Sequence, residues 1–310
     1  MLSTDVFEEL VSRVAGVQRQ DVRFEARLTD DLGLDSYGLL ELCSALADVG
    51  VDVGEEDWLA AGTVGDLYTR CCAGGLPGAA EAGRLRTGVP HPSLPQAEAL
   101  TGPGASGGSD RSAGSDGSDD EVLPPELAGR YFQLTPVLPS MAPFLYELSI
   151  APDVGFRWRY RGAFPPYEKF EADLWQGMLA QFLIVSRETG EAAGHAICYN
   201  PDFGLGNAYV GVAMTGRYQR SGIAAEPVVL FLRYLFDVWP FRKLYFELPE
   251  FNCRQFASAI GSTLHIEARF RDHDYYRGRR WDRVVLAAYR QDLYSAGSAG
   301  RGEGIDLSSV

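Results

Sequence analysis

The chain has 310 residues, 46% of them hydrophobic, and a formal net charge of −14; this suffices for one large or two modest cores and argues against a nucleic-acid partner. Its five cysteines (Cys43, Cys71, Cys72, Cys198, Cys253) are odd in number and form no CxxC pair, so neither a disulfide framework nor a metal site is expected, and a reduced cytoplasmic setting fits. The acidic start MLSTDVFEEL does not read as a secretory leader, and the apolar stretch 227–239 is short and interrupted by Arg233 and Asp237, so no membrane span is expected.

Charge divides the chain. Residues 1–75 hold 5 Arg and no Lys against 15 acidic side chains, whereas 126–295 hold 19 basic against 18 acidic. Residues 1–74 read as a small helical unit. Val6, Leu10 and Val14 recur at helical spacing, Leu39, Leu40, Leu42, Ala45 and Leu46 form a second stripe, and Thr63 with Asp66 suits a capping box ahead of VGDLYTRCC. Residues 75–125 are rich in Gly, Pro, Ser and Ala and read as a disordered linker; about 50 flexible residues span roughly 40 Å. Over 126–295 strands and helices alternate. Strands are expected at Tyr131–Val137, Gln181–Ser186, Ala193–Tyr199, Asn207–Met214, Lys243–Leu248, His265–Arg271 and Val284–Tyr289. Helices are expected at Ser140–Leu148, Tyr167–Gln176, Ile223–Val238 and Cys253–Ile260. Residues 296–310 read as a frayed tail.

The stretch Asp31-Leu32-Gly33-Leu34-Asp35-Ser36-Tyr37 opens the second helix. Asp35 and Ser36 suit an N-cap pair. In its context the stretch also resembles the acyl carrier protein family, whose D-x-G-x-D-S motif matches at Asp31, Gly33, Asp35 and Ser36; Tyr37 stands where Leu or Met is usual. The resemblance covers residues 3–73 and implies a four-helix bundle carrying 4′-phosphopantetheine on Ser36, installed by a phosphopantetheinyl transferase. A helix start suits the phosphodiester. Glu41 and Asp48 are expected to present an acidic docking face.

A second motif runs from Val210 to Glu226, where a β-rich segment passes through a polar turn into a long apolar helix. Such a turn is either an ordinary connection or an anion site built from backbone N–H groups, with Gly222 allowing close approach and Arg217 and Arg220 adding charge. Gln219-Arg220-Ser221-Gly222-Ile223-Ala224 resembles the Q/R-x-x-G-x-G/A signature of the GNAT acyltransferase family. NAYVGVAMTGRYQRSGIAAE, LYFELPEFN and HDYYRGRRWDRVVLAAY resemble its branch that acetylates the N-termini of ribosomal proteins. The resemblance implies an α/β (α+β) fold around a central mixed, mostly antiparallel sheet. It places acyl-CoA along Val212, Ala213 and Met214, its pyrophosphate on Gln219, Arg220, Ser221, Gly222, Ile223 and Ala224, and Asn252 near the pantetheine. Gln255 stands where the family often has Ser, so the usual hydroxyl acid is not expected.

The resemblance implies attack of an amine on a thioester, with an oxyanion donor near Val212 or Ala213. Glu247 is the leading candidate base, followed by Glu250 and Tyr209, each with a structural alternative. His195, in a strand run, is expected to be packed, and Glu226 to be structural. Arg157, Arg159 and Arg161 are expected either to be solvated or to dock the acidic carrier helix. Together these readings imply an acyl-CoA-dependent N-acyltransferase, most simply using acetyl-CoA, that acts on a carrier-tethered amino substrate among assembly-line enzymes of polyketide or nonribosomal peptide biosynthesis. The alternatives are S-acyl loading of the Ser36 arm from acyl-CoA and a non-catalytic delivery platform.

Overall fold

The computed structural model describes residues 2–73 and 125–298. The expected linker over 75–125, apart from Pro125, and the expected tail beyond residue 298 lie outside the described residues.

The N-terminal segment folds into four helices, α1 (Thr4–Ala15), α2 (Ser36–Asp48), α3 (Glu55–Ala60) and α4 (Val64–Ala73). Ser3 caps α1 by accepting the Val6 N–H at 3.3 Å, and Gly16 ends it at φ 66°, a conformation glycine adopts without steric cost. The core face of α1 is Phe7, Leu10 and Val11. This corrects the expected Val6 stripe: Val6 is 45% exposed, because Phe7 and Val11 take the inward positions one residue on. In α2, Leu39, Leu42, Cys43, Ala45 and Leu46 are buried. The capping box before α4 forms as expected: Thr63 Oγ1 accepts the Asp66 N–H at 3.1 Å, and Asp66 Oδ2 accepts the Thr63 N–H at 3.0 Å.

The C-terminal segment is built on seven strands: β1 (Phe132–Pro136), β2 (Met178–Ser186), β3 (Ala192–Asp202), β4 (Asn207–Met214), β5 (Lys243–Pro249), β6 (Leu264–Tyr276) and β7 (Arg279–Tyr289). Their order is β1-β2-β3-β4-β5-β7-β6, and every neighbouring pair is antiparallel except β4 with β5. This is the expected mixed, mostly antiparallel sheet. On one face lie α5 (Ala142–Ile150) and α6 (Tyr167–Asp173), packed through Leu145, Phe170, Leu183 and Val185. α7 (Glu226–Val238) packs through Leu230, Phe231, Leu235 and Phe236, and α8 (Arg290–Ser298) follows β7.

Two expected helices differ. The run Ile223–Val238 divides into a 3-10 turn, Ile223–Ala225, and α7, because Pro227 has no N–H to donate back to Ile223. The helix expected at Cys253–Ile260 is a 3-10 segment, Glu250–Phe256. Pro249 fixes its start, and the Ser258 N–H that would continue it donates instead to Asp35 Oδ2 at 2.6 Å.

The helical segment and the sheet share one apolar core, in which Leu39, Cys43, Val53 and Trp58 are contiguous with Tyr131, Tyr218 and Ile223. The carrier-type segment is therefore packed against the sheet segment, and the contact falls on the loop that the sequence singles out.

Candidate active site

Asp35 caps α2 alone. Its Oδ1 accepts the N–H groups of Tyr37 at 3.1 Å and Gly38 at 2.9 Å. The hydroxyl of Ser36, the first residue of α2, is thereby released from capping. It has no hydrogen-bond partner among the described residues and is half-buried. An unengaged hydroxyl at the head of a 13-residue helix fits a phosphodiester attachment better than an N-cap pair does.

β4 and β5 supply the second half of the site. They pair only over Asn207–Lys243, Ala208–Leu244 and Tyr209–Tyr245. Beyond that point β4 continues to Met214 along β3, and β5 continues to Pro249 along β7. The strands therefore separate, leaving the 210–214 and 246–249 backbones without each other. Val212, Ala213 and Met214 line one side of this opening. Val212 is half-buried, while Ala213 and Met214 are 6% and 8% exposed.

The loop Gln219–Ala224 follows at the end of β4. Arg220 and Gly222 both have positive φ, 64° and 81°, which folds the chain tightly ahead of Ile223. The first N–H groups of a helical run have no intrahelical acceptor, and here they belong to Ile223 and Ala224. The Gln219 side chain is held by Asp153 Oδ2 at 2.6 Å and the Met214 carbonyl at 3.1 Å. Ser221 Oγ donates to the Tyr218 carbonyl at 2.6 Å.

The candidate bases separate. Residues alternate along a strand, so Tyr209, Tyr245 and Glu247 share one face of the opening. Rings of Tyr199 and Tyr245 flank Tyr209 at 5.7 and 5.3 Å. Burial, reinforced by Glu247, raises the Tyr209 phenol, and burial pushes Tyr199 up to about 12. Tyr209 is thus protonated at neutral pH and suited to donate a proton. Glu247 lies 3.5 Å from Arg283, which also pairs with Asp274. Glu250 sits apart, 2.5 Å from Arg269 of β6. Asn252 Oδ1 accepts from Arg157 at 2.7 Å. Trp158 covers the same face: a Cβ at Gly211 would stand 3.1 Å from its ring.

His195 is 1% exposed, shares a hydrogen bond of 3.0 Å between its Nε2 and Gln181 Oε1, and is driven down to about 3 by burial; it is packed, as expected. Glu226 is structural as expected. It accepts the N–H groups of Arg130, Tyr131 and Phe132 at 2.6, 2.9 and 2.9 Å, and burial raises its carboxyl despite these bonds. Among the described residues no His, Cys, Asp and Glu cluster suits a metal, and no helix is long and apolar enough to cross a membrane.

Arg157 and Arg159 neither contact the helical segment nor stand solvated, whereas Arg161 is exposed. Arg157 serves Asn252, and Arg159 donates to the carbonyls of Leu174 and Asp173 at 3.1 and 2.9 Å. Nor do Glu41 and Asp48 make the ionic contacts. The helical segment docks through Asp35, Asp52, Glu55 and Glu56. Asp35 accepts from Ser258 N and Oγ, at 2.6 and 2.5 Å, Asp52 pairs with Arg130, and Glu56 pairs with Arg217. Glu55 is 1% exposed; it accepts from Ser186 Oγ at 2.6 Å and Tyr218 Oη at 2.9 Å, with Arg217 at 3.7 Å. Trp58 Nε1 donates to the Ser221 carbonyl at 2.7 Å. Trp58 was the available sequence signal, because Trp is enriched at interfaces, whereas the carboxylates beside it read as a solvated run.

Residues 5–71 match the family described as phosphopantetheine attachment site. The sheet segment is similar to solved acetyltransferases. Spermidine N-acetyltransferase from Vibrio cholerae, in complex with CoA and spermine, is 13% identical, with a TM-score of 0.47 over 53% of this chain and 98% of that one. A chimera of the Vibrio cholerae enzyme with hSSAT is 12% identical, with a TM-score of 0.46 over 54% and 99%. The Vibrio cholerae spermidine/spermine N-acetyltransferase with manganese ions is 14% identical, at 0.45 over 54% and 97%.

Proposed function

We propose that this chain is an N-acyltransferase of natural-product biosynthesis, in which the opening between β4 and β5 receives a pantetheine thioester and an amine, and in which residues 1–74 act as its carrier domain. One observation carries the reading. The turn bearing Ser36 is held by Asp35 against Ser258, beside the Gly222 loop at the end of β4. A phosphopantetheine group on Ser36 would supply a thiol able to hold an acyl or aminoacyl group as a thioester. Acyl-CoA, most simply acetyl-CoA, is the diffusible thioester, and the carrier-tethered partner is the amine.

The residues of the opening suit the reaction. The amine nitrogen attacks the thioester carbonyl, a C–N bond forms, and the C–S bond breaks. The proton lost by nitrogen passes to Glu247 or to water, and the departing thiolate takes one from Tyr209. The Val212 N–H, on the edge of β4 no longer paired with β5, supports the oxyanion, while the Ala213 N–H faces β3. Trp158 over Gly211 excludes water from that face.

Intact-mass measurement tests the proposal. The chain is treated with a phosphopantetheinyl transferase and CoA, then with an acyl-CoA panel and amine acceptors. Modification of Ser36 and a hydroxylamine-resistant acyl mark on a loaded amine are expected. A hydroxylamine-sensitive mark on Ser36 without any amine would establish S-acyl loading instead. No modification of Ser36 together with no affinity for CoA would end the proposal. Glu247→Gln is expected to lower kcat by about 100-fold if that carboxylate is the base, with KM for acyl-CoA little changed.

A further inference from the structure

We propose that the docked carrier domain and free coenzyme A compete for one surface, so that CoA reaches the opening only after the carrier domain has left it. The inference rests on the proposed function in taking the Gly222 loop as the CoA-binding loop, and it adds a rule of occupancy that the sequence does not contain.

The carrier occupies the bare backbone of this loop and answers one of its two arginines. A glycine at 222 leaves backbone bare for close approach by a phosphate. Leu39 of α2 fills that space: a Cβ placed on Gly222 would fall inside the Leu39 side chain. Arg217 has its charge answered by Glu56 and Glu55. The Ser221 carbonyl accepts from Trp58. The hydroxyl of Tyr218, 2% exposed, is committed to Glu55.

Volume points the same way. What remains open between carrier and loop is a cavity of about 140 Å³, lined by Arg27, Leu39, Trp58, Arg220 and Ser221. Small-molecule sites need roughly 300–1,000 Å³, so the nucleotide end of CoA does not fit beside the docked carrier. The arrangement is self-gating: docking closes the loop to CoA and undocking admits it, so the tethered amine meets bound acyl-CoA only from an undocked carrier. The apparent CoA affinity is then reduced by the fraction of chains undocked.

The test is CoA titration of the full chain by calorimetry, comparing wild type with Glu56→Arg, Ser258→Asp and the double variant. Glu56→Arg sets two arginines against each other at Arg217, and Ser258→Asp sets a carboxylate against Asp35. Neither position lies in the loop or the opening, and circular dichroism and thermal melting verify folding. The double variant is expected to bind CoA at least tenfold more tightly than wild type. In wild type, saturating CoA is expected to raise amide hydrogen exchange over residues 54–60, the carrier's docking face. Equal affinity in all four proteins with unchanged exchange overturns the inference and leaves the proposed function standing. Failure of every form to bind CoA overturns the inference, and together with an unmodified Ser36 it overturns the proposed function as well.

Discussion

Glu55→Ala is the most direct perturbation of the docked arrangement. Glu55 belongs to the carrier segment, yet its side-chain partners Ser186, Tyr218 and Arg217 all belong to the sheet segment. At 1% exposure it is sealed between them. Removing its carboxylate leaves the buried hydroxyls of Ser186 and Tyr218 without their acceptor, while Arg217 keeps Glu56. An unsatisfied buried polar group costs about 1–3 kcal/mol, and bonds to a charged group stand at the upper end. Part of this is recovered because undocked Glu55 is well solvated. A net loss of about 3 kcal/mol is expected, roughly two decades in the docking equilibrium. Glu55→Gln retains an acceptor and should lose about 1 kcal/mol. Hydrogen exchange is the assay. Protection over residues 54–60 and 217–223 should fall together in Glu55→Ala, whereas protection in α1, which does not touch Glu55, should hold. Uniform loss over the carrier would mean that Glu55 supports the helical fold. No loss in either segment would refute the latch.

Three further outcomes follow from particular residues. Gly222→Ala puts a Cβ into Leu39 and strains a residue at φ 81°, so docking should weaken by about 1–3 kcal/mol, seen as the same coupled exchange. Glu226→Ala frees three backbone N–H groups of β1 and its approach and should lower stability by about 3 kcal/mol or more in urea unfolding. His195 governs an acid limb. Its folded value of about 3 lies below the usual 6.5, so between these pH values the unfolded chain holds a proton that the folded chain refuses. Stability should rise with pH across that window, and fall on acidification, by up to about 1.4 kcal/mol per pH unit from this group. His195→Gln should flatten that part of the stability profile; an unaltered profile would show that another group controls it.

Much of the architecture follows from local signals. The strand Asn207–Met214 matches its expected bounds, and the Thr63–Asp66 box, the Asp35 cap and the Gly222 turn are written in residues within a few positions of one another. Periodicity and caps act over one or two turns, so they are legible in sequence. They become less so where a distant partner intervenes. The 250–256 segment stays a 3-10 turn because the Ser258 amide is claimed by Asp35, more than two hundred residues earlier.

The candidate site divides on the same line. Ser36, the loop Gln219–Ala224 and the list Glu247, Glu250 and Tyr209 come from motif and resemblance. Only the fold groups Tyr209 with Glu247 and draws Glu250 to Arg269. The docking charges show why. Arg157, Arg159 and Arg161 stand out as a basic-aromatic cluster, but Arg157 and Arg159 are spent on Asn252 and on backbone carbonyls. The contact falls to Arg217 and Arg130, which stand singly in the sequence.

By itself the sequence determined that a helical unit resembling acyl carrier proteins and a mixed-sheet unit share one chain, and it singled out Ser36 in the first and the loop Gln219–Ala224 in the second. Only the tertiary structure decided that the helix headed by Ser36 packs on that loop, with Leu39 on Gly222 and Glu55 sealed among Ser186, Tyr218 and Arg217. The physical reason is range. Helix caps and strand alternation are fixed by neighbours along the chain, whereas a buried carboxylate finds its partners through the packing of two surfaces, and no spacing in either segment records the other.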